Sequence, residues 1–174
     1  MSTKNMLLVL LAVIFVIIGY FVYQVKIEKS TINSNPKNAT YLIDGEAVAL
    51  INGKSEQGEN DSGILIQYFG NEAIGDLNGD GRQDTALYIT QESSGTGIFY
   101  YVVALIDKID GKKGTEAVFV GDRIAPQNLE IRDGILLVNY ADRNEGESFA
   151  DRPSLGKTMR LKLNTETFKF EIIK

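Results

Sequence analysis

The sequence predicts an all-β fold, a single antiparallel β-sandwich or partly open barrel behind one N-terminal transmembrane helix. Three observations predict it. Met6–Tyr23 (MLLVLLAVIFVIIGYFVY) runs for 18 residues without a charge. From residue 41 onward, apolar and polar side chains alternate with the two-residue period of strands, punctuated by Asp-Gly turn dipeptides. Beyond the apolar run, no stretch repeats with the 3.6-residue period of an amphipathic helix.

The apolar run reads as an anchor. Extended by Gln24 and Val25, it reaches about 30 Å as a helix, the thickness of a bilayer's hydrocarbon core. Tyr20, Phe21 and Tyr23 gather at its C-terminal end, where amphipathic rings favour the headgroup region. A cleaved signal peptide would have a shorter apolar stretch and a small-x-small site, whereas Tyr-Phe-Val-Tyr-Gln-Val stands here. Lys4 precedes the run and Lys26 and Lys29 follow it, so flanking charge is nearly balanced. Three of the 18 basic and one of the 23 acidic side chains lie before residue 31, leaving 15 and 22, a net of −7. A short N-terminal tail before a long acidic domain fits an N-in, C-out signal anchor with the domain outside. Residues 26–40 (KIEKSTINSNPKNAT) have too little apolar surface to offset ordering, the composition of a flexible stalk. The expected organisation is therefore anchor 1–25, stalk 26–40 and β domain 41–174.

The strands follow in order. Tyr41–Ile43 and Ala47–Ile51 flank Asp44-Gly45, a hairpin signal. Ile64–Phe69 is an apolar strand interrupted by Gln67, and Thr85–Thr90 alternates between two apolar faces. Ile98–Ile106 (IFYYVVALI) has the aromatic and β-branched content of a central strand covered on both faces. Ala117–Val120 is short. Leu129–Arg132 and Ile135–Tyr140 flank a second Asp-Gly pair, Asp133-Gly134. Met159, Leu161 and Leu163 alternate with Arg160 and Lys162, and Phe168, Phe170 and Ile172 with Lys169 and Glu171. Asn164–Thr167 between them makes a terminal hairpin. That gives eight or so strands.

Composition narrows the chemistry. The 174 residues include no Cys, no His and no Trp. Disulfides, thiolate nucleophiles, His-based catalysis and the usual zinc, copper and haem ligand sets are excluded. Carboxylates, amides, hydroxyls and carbonyls remain, which suit hard cations such as Ca²⁺. The acidic balance, without a basic cluster, argues against nucleic acid as a partner.

The sharpest motif uses those oxygens. Asp76-Leu77-Asn78-Gly79-Asp80-Gly81-Arg82-Gln83-Asp84 puts oxygen side chains at loop positions 1, 3, 5 and 9 and glycine at 6. Alternate residues of a tightly curled loop can turn inward and supply the six to eight oxygens that Ca²⁺ takes at about 2.3–2.6 Å. Asp76, Asn78, Asp80, the Arg82 carbonyl and Asp84 are the expected ligands, with a structural rather than catalytic ion. Leu87 stands where an EF-hand has its bidentate Glu, and a strand pattern follows instead of a helix. Affinity is therefore expected in the weak range of extracellular modules, roughly 10⁻⁴–10⁻³ M. The competing reading is a plain Asn-Gly-Asp-Gly turn, which leaves the three carboxylates repelling one another.

Tyr68–Gly75 followed by DLNGDGRQD-TALYI resembles one FG-GAP repeat, with its Phe-Gly pair, calcium loop and following strand. That resemblance implies the same five calcium ligands. It occurs once, with no 40–60-residue period, so a propeller within one chain is excluded. Through GDLNGDGRQD, SSGTGIFYYVVALI, VFVGDRIAPQ and VNYADR, residues 41–174 also resemble small membrane-anchored or exported bacterial proteins of unknown function. That group supports location and fold.

Two loops remain. Gln91–Gly97 is Gly- and Ser-rich but lacks the Gly-Lys-Ser/Thr ending of a phosphate loop, so it reads as a hairpin connection. Ala141–Lys157 contains Ala-Asp-Arg twice. Arg143 and Arg152 could grip an anion, but mutual Asp–Arg pairing in a solvated loop is favoured. An enzyme would need acidic pairs or Ser/Lys chemistry, with Asp122, Asp142, Asp151, Ser154 and Lys157 as candidates. The expected function is a membrane-tethered binding module at the cell envelope with a protein or glycan partner. The alternative is a carboxylate-dependent envelope hydrolase.

Overall fold

The computed structural model describes residues 13–20, 35–58, 63–95 and 97–174. The chain divides into two units, Met1–Ser34 and Asn35–Lys174. In the first, residues 13–20 are helical. Most of the expected span Met6–Tyr23, with stalk residues 26–34, lies outside the described residues. Among those described, no helix is long and apolar enough to cross a membrane.

The second unit is mainly antiparallel β-structure. Its elements are a 3₁₀ turn Pro36–Asn38, then β1 Thr40–Ile43, β2 Glu46–Ala49, β3 Lys54–Gln57, β4 Ile64–Gly75, β5 Asp84–Glu92 and β6 Ile98–Lys108. β7 Gly111–Gly114, β8 Val118–Asp122, β9 Ala125–Arg132, β10 Ile135–Asp142, β11 Leu155–Asn164 and β12 Lys169–Ile173 complete it. The central sheet has the order β3-β4-β5-β6-β7, with β8 also pairing to β6. A second sheet runs β12-β11-β10-β9, and β1-β2 form a separate hairpin.

Both faces of the central sheet are covered. Ala86, Tyr88, Val102, Ala104 and Ile106 point to one side and pack with Leu129, Leu136, Val138 and Leu161 of the second sheet. Leu87, Ile89, Tyr101, Val103 and Leu105 point to the other and pack with Tyr41, Ile43, Val48 and Leu50 of the hairpin. β6 is therefore the doubly covered central strand that its unbroken apolar run predicts. The two large sheets meet at two corners. The Asn71 side chain donates to the Gln127 carbonyl at 2.6 Å. At the other corner Glu116 N–H donates to the Phe168 carbonyl at 3.1 Å, and Lys169 and Glu116 form an ion pair.

Turn chemistry sets the register. Asp44-Gly45 and Asp133-Gly134 both take positive φ, as the primed two-residue hairpin turns require. Asn52-Gly53 does the same and joins β2 to β3. Gly114 sits where the hairpin docks: a Cβ there would lie 2.1 Å from the Thr40 carbonyl oxygen. Beside it, Leu42 N–H donates to the Thr115 carbonyl and Ala117 N–H to the Leu42 carbonyl.

Four expectations shift. β3 (KSEQ) and β7 (GKKG) lack an apolar pattern and become strands because hairpin geometry returns them to a neighbour. The strand expected to end at Phe69 continues to Gly75 through register shifts after Tyr68 and Gly70. At the C-terminus, Phe168 belongs to the turn and not to the strand, with φ of 59°. The cause is Asn164: its side-chain oxygen accepts from Glu166 and Thr167 N–H, and its carbonyl from Phe168 N–H. Finally, Asn35–Ala39, expected as the end of the stalk, belongs to the second unit.

Candidate metal centre

The loop 76–84 joins β4 to β5 where Gly75 and Asp84 are paired. Leu77 turns into the core between the sheets and anchors the loop's start, while Gly79 and Gly81 take the positive φ that the tight curl demands. The expected oxygens then turn onto the loop's own amides. Asp76 Oδ1 accepts from Gly79 and Asp80 N–H, at 2.7 and 3.3 Å, and its Oδ2 accepts from Gly81 N–H at 2.8 Å. Asn78 Oδ1 accepts from Asp80 N–H at 2.9 Å, and Asp80 Oδ1 from Arg82 N–H at 2.9 Å.

Asp84 is the fixed point. It is fully buried, and its Oδ2 and Oδ1 accept from Leu77 and Asp107 N–H, both at 2.8 Å. Burial pushes its carboxyl above the usual range, the two amides pull it down, and the charges of Asp80 and Asp76 push it up again. Asp80 lies below the usual range, chiefly through the Arg82 amide and further through the Asn78 and Arg82 side chains.

The donor set is all oxygen, the chemistry that a hard cation takes. An ionised carboxylate has about four lone-pair positions, so the two or three N–H bonds that Asp76, Asp80 and Asp84 each accept do not exhaust it. The group fits by chemistry. Among the described residues, however, no group of three or more acidic side chains stands in metal-holding geometry. Arg82 also lies against the loop, 3.2 Å from Asp80 Oδ2 and with its Nε 3.7 Å from Asp107 Oδ1. Asp107, at the end of β6, is a loop partner that spacing could not reveal, since it arrives through strand pairing.

Asn78, Asp80 and Arg82 form one wall of an open groove of about 390 Å³, faced by Lys108, Ile109 and Phe168. Ile109, at the β6–β7 turn, is 91 % exposed. Lys113 and Lys108 sit 3.9 and 5.2 Å from the centre of the Phe168 ring.

The residues named for catalysis are placed elsewhere and tied into structure. Asp122 pairs with Arg123 at 2.7 Å and accepts from Ile98 N–H. Asp142 pairs with Lys157 at 2.8 Å and accepts from Arg143 N–H. Arg123 above all holds Asp122 below the carboxylate range, as Lys157 above all does for Asp142. Lys157 is raised in turn by Asp142. Asp151 accepts from Ser148 N–H within the 141–157 loop.

Arg143 does not pair with an Asp of its loop as expected. It donates to the carbonyls of Arg123, Phe149 and Asp151, at 2.7–3.1 Å, and ties the loop to the end of β8. Phe149 lies over the Arg123 guanidinium, 3.9 Å from its carbon. No protein-family model, curated protein or solved structure matches the chain.

Proposed function

We propose that this chain is a membrane-tethered β domain displayed outside the cytoplasm, stabilised by Ca²⁺ and serving as a binding module at the cell envelope. The tether is the uncharged run Met6–Tyr23. Asp76, Asn78, Asp80, the Arg82 carbonyl and Asp84 would hold the ion. Its contribution there is charge neutralisation: three carboxylates within one nine-residue loop repel, and a divalent cation relieves them. The FG-GAP likeness of DLNGDGRQD supports the same ligands.

One observation carries the binding reading over the hydrolase alternative. Asp122 and Asp142 are both held ionised by basic partners, and Lys157 is held protonated. Carboxylate-pair hydrolysis needs one acid kept neutral near pH 7. Among the described residues, the carboxyl raised by burial is Asp84, and it is sealed from substrate. The groove beside the loop is instead shallow and mixed in polarity, with a protruding Ile109, which suits recognition.

The test is topology with capture. In intact cells, external protease is expected to remove a C-terminal tag, and short-range crosslinking of the full chain to retain a defined protein or glycan. A tag protected until the membrane is opened would sink the proposal.

A further inference from the structure

The face of the central sheet under the β1–β2 hairpin continues past the hairpin's turn into an aromatic edge. Tyr101 of β6 and Phe119 of β8 are cross-strand partners. Their rings meet edge-on at 5.4 Å, and Phe99 lies 6.4 Å from Phe119. Phe119 is 52 % exposed.

β8 itself is an edge. Among the described strands it pairs with β6 alone. Its sequence, Val118-Phe119-Val120-Gly121-Asp122, has none of the lysines or prolines that usually blunt a free edge. Immediately before it, the chain accepts an edge partner: Leu42 of β1 bonds to Thr115 and Ala117 in a parallel bridge centred on Glu116. β1 then turns away at Asp44-Gly45, leaving 118–122 without a second neighbour.

That turn carries charge: Leu42 lies opposite Glu116 in the parallel bridge, so Asp44, two residues on, comes level with Val118 at the start of β8. Asp44 and Glu46 rim a groove of about 210 Å³ floored by Ile43, Val48, Ile64 and Ile66. Among the described residues neither acid has an ion-pair partner within 4.0 Å. After burial, the Asp44 charge is the next influence holding the Tyr101 hydroxyl above its ordinary range.

We infer that β8, with the Phe99–Tyr101–Phe119 cluster beside it, takes an extended segment of a partner protein as an added strand. That segment carries alternating apolar side chains and Lys or Arg flanks that meet Asp44 and Glu46. A second copy of this chain is disfavoured, because it would bring the same two acids and a domain of net charge −7. Strand addition takes its affinity from main-chain hydrogen bonds and its selectivity from the side-chain pockets. The inference rests on the binding-module reading and gives that reading a partner class. Tyr101 and Phe99 lie five and seven residues along β6 from the level of Asp84, roughly 17–23 Å from the loop 76–84 by strand rise.

The experiment uses the full chain in detergent and a fluorescent synthetic peptide of alternating valine and threonine with lysines at both ends. Saturable binding by anisotropy is expected, abolished when the peptide's edge-facing amides are N-methylated and weakened when its lysines become glutamates. Phe119→Ser should weaken it about tenfold, and Asp44→Lys with Glu46→Lys roughly three- to tenfold, with circular dichroism unchanged. The two charge substitutions lie on an exposed turn, so they keep the test valid if the Phe119 variant misfolds. Absence of binding at millimolar peptide would overturn the inference, as would equal binding of the N-methylated peptide. A dimer of the parent chain that Phe119→Ser dissolves would overturn it too. A negative titration alongside an outward-facing tag and calcium heat would leave the function proposal standing and remove this inference alone.

Discussion

Replacing Asp84 with Ala probes the loop at the point where fold and ion chemistry meet. The carboxylate is fully buried and accepts from the Leu77 and Asp107 amides. Its removal leaves two buried N–H groups without an acceptor, at about 1–3 kcal/mol each, or roughly 2–6 kcal/mol together. Against this stands relief from burying a charge and from repulsion by Asp80 and Asp76, the two influences that raise its carboxyl. Taking that relief as about 2 kcal/mol leaves a net loss of roughly 0–4 kcal/mol, centred near 2. The assay is urea unfolding of parent and variant in EGTA, with the slope checked for constancy. In about 10 mM Ca²⁺ the parent should gain roughly 1.4–2.7 kcal/mol if its affinity lies near 10⁻³–10⁻⁴ M, and the variant less. A variant more stable than the parent in EGTA would refute the anchoring argument. Equal calcium gains in both chains would refute Asp84 as a ligand.

Three further outcomes are expected. Gly114→Ala drives a Cβ into the Thr40 carbonyl and should lift the β1–β2 hairpin. The loss is about 1–3 kcal/mol, with faster amide exchange at Leu42 and Ala117, both of which would stay unchanged if docking is loose. The Lys157 partner lowers the folded-state carboxyl of Asp142, so its contribution is fully present above the unfolded value near 3.9. It fades as pH falls through the depressed folded value, so Asp142→Asn should flatten the acid limb of stability. The pair is partly exposed, and at most about 1 kcal/mol is at stake, read from urea midpoints between about pH 5 and 2. Arg143→Ala removes three carbonyl contacts and should expose the 145–153 loop to limited proteolysis while leaving the urea midpoint of the domain nearly unmoved. Unchanged cleavage would show that the loop holds itself.

The sequence is legible where local chemistry decides. The two Asp-Gly turns and the doubly covered β6 follow from residues adjacent in sequence. Asn52-Gly53 carries the same turn signal and marks the turn that leads from β2 to β3, closed by the Ile51–Lys54 bridge. What short-range patterns could not show arises from pairing across the chain. β3 and β7 have no apolar alternation to betray them, and the break after Tyr68 hides the continuation of β4. The loop's oxygen spacing was plain in the sequence, but its partner Asp107 and the sealing of Asp84 depend on how β6 closes over it. The aromatic edge at Phe99 and Phe119 likewise requires β6 and β8 to meet.

The most direct measurement is a calorimetric titration of the full chain in detergent with Ca²⁺, repeated with Mg²⁺ and with an Asp76→Asn, Asp80→Asn double variant. The account predicts one saturable calcium event in the range of roughly 10⁻⁴–10⁻³ M, weaker heat with Mg²⁺, and none with the double variant. A parent chain that shows no heat at millimolar calcium, and melts at the same temperature in calcium and in EGTA, would contradict it.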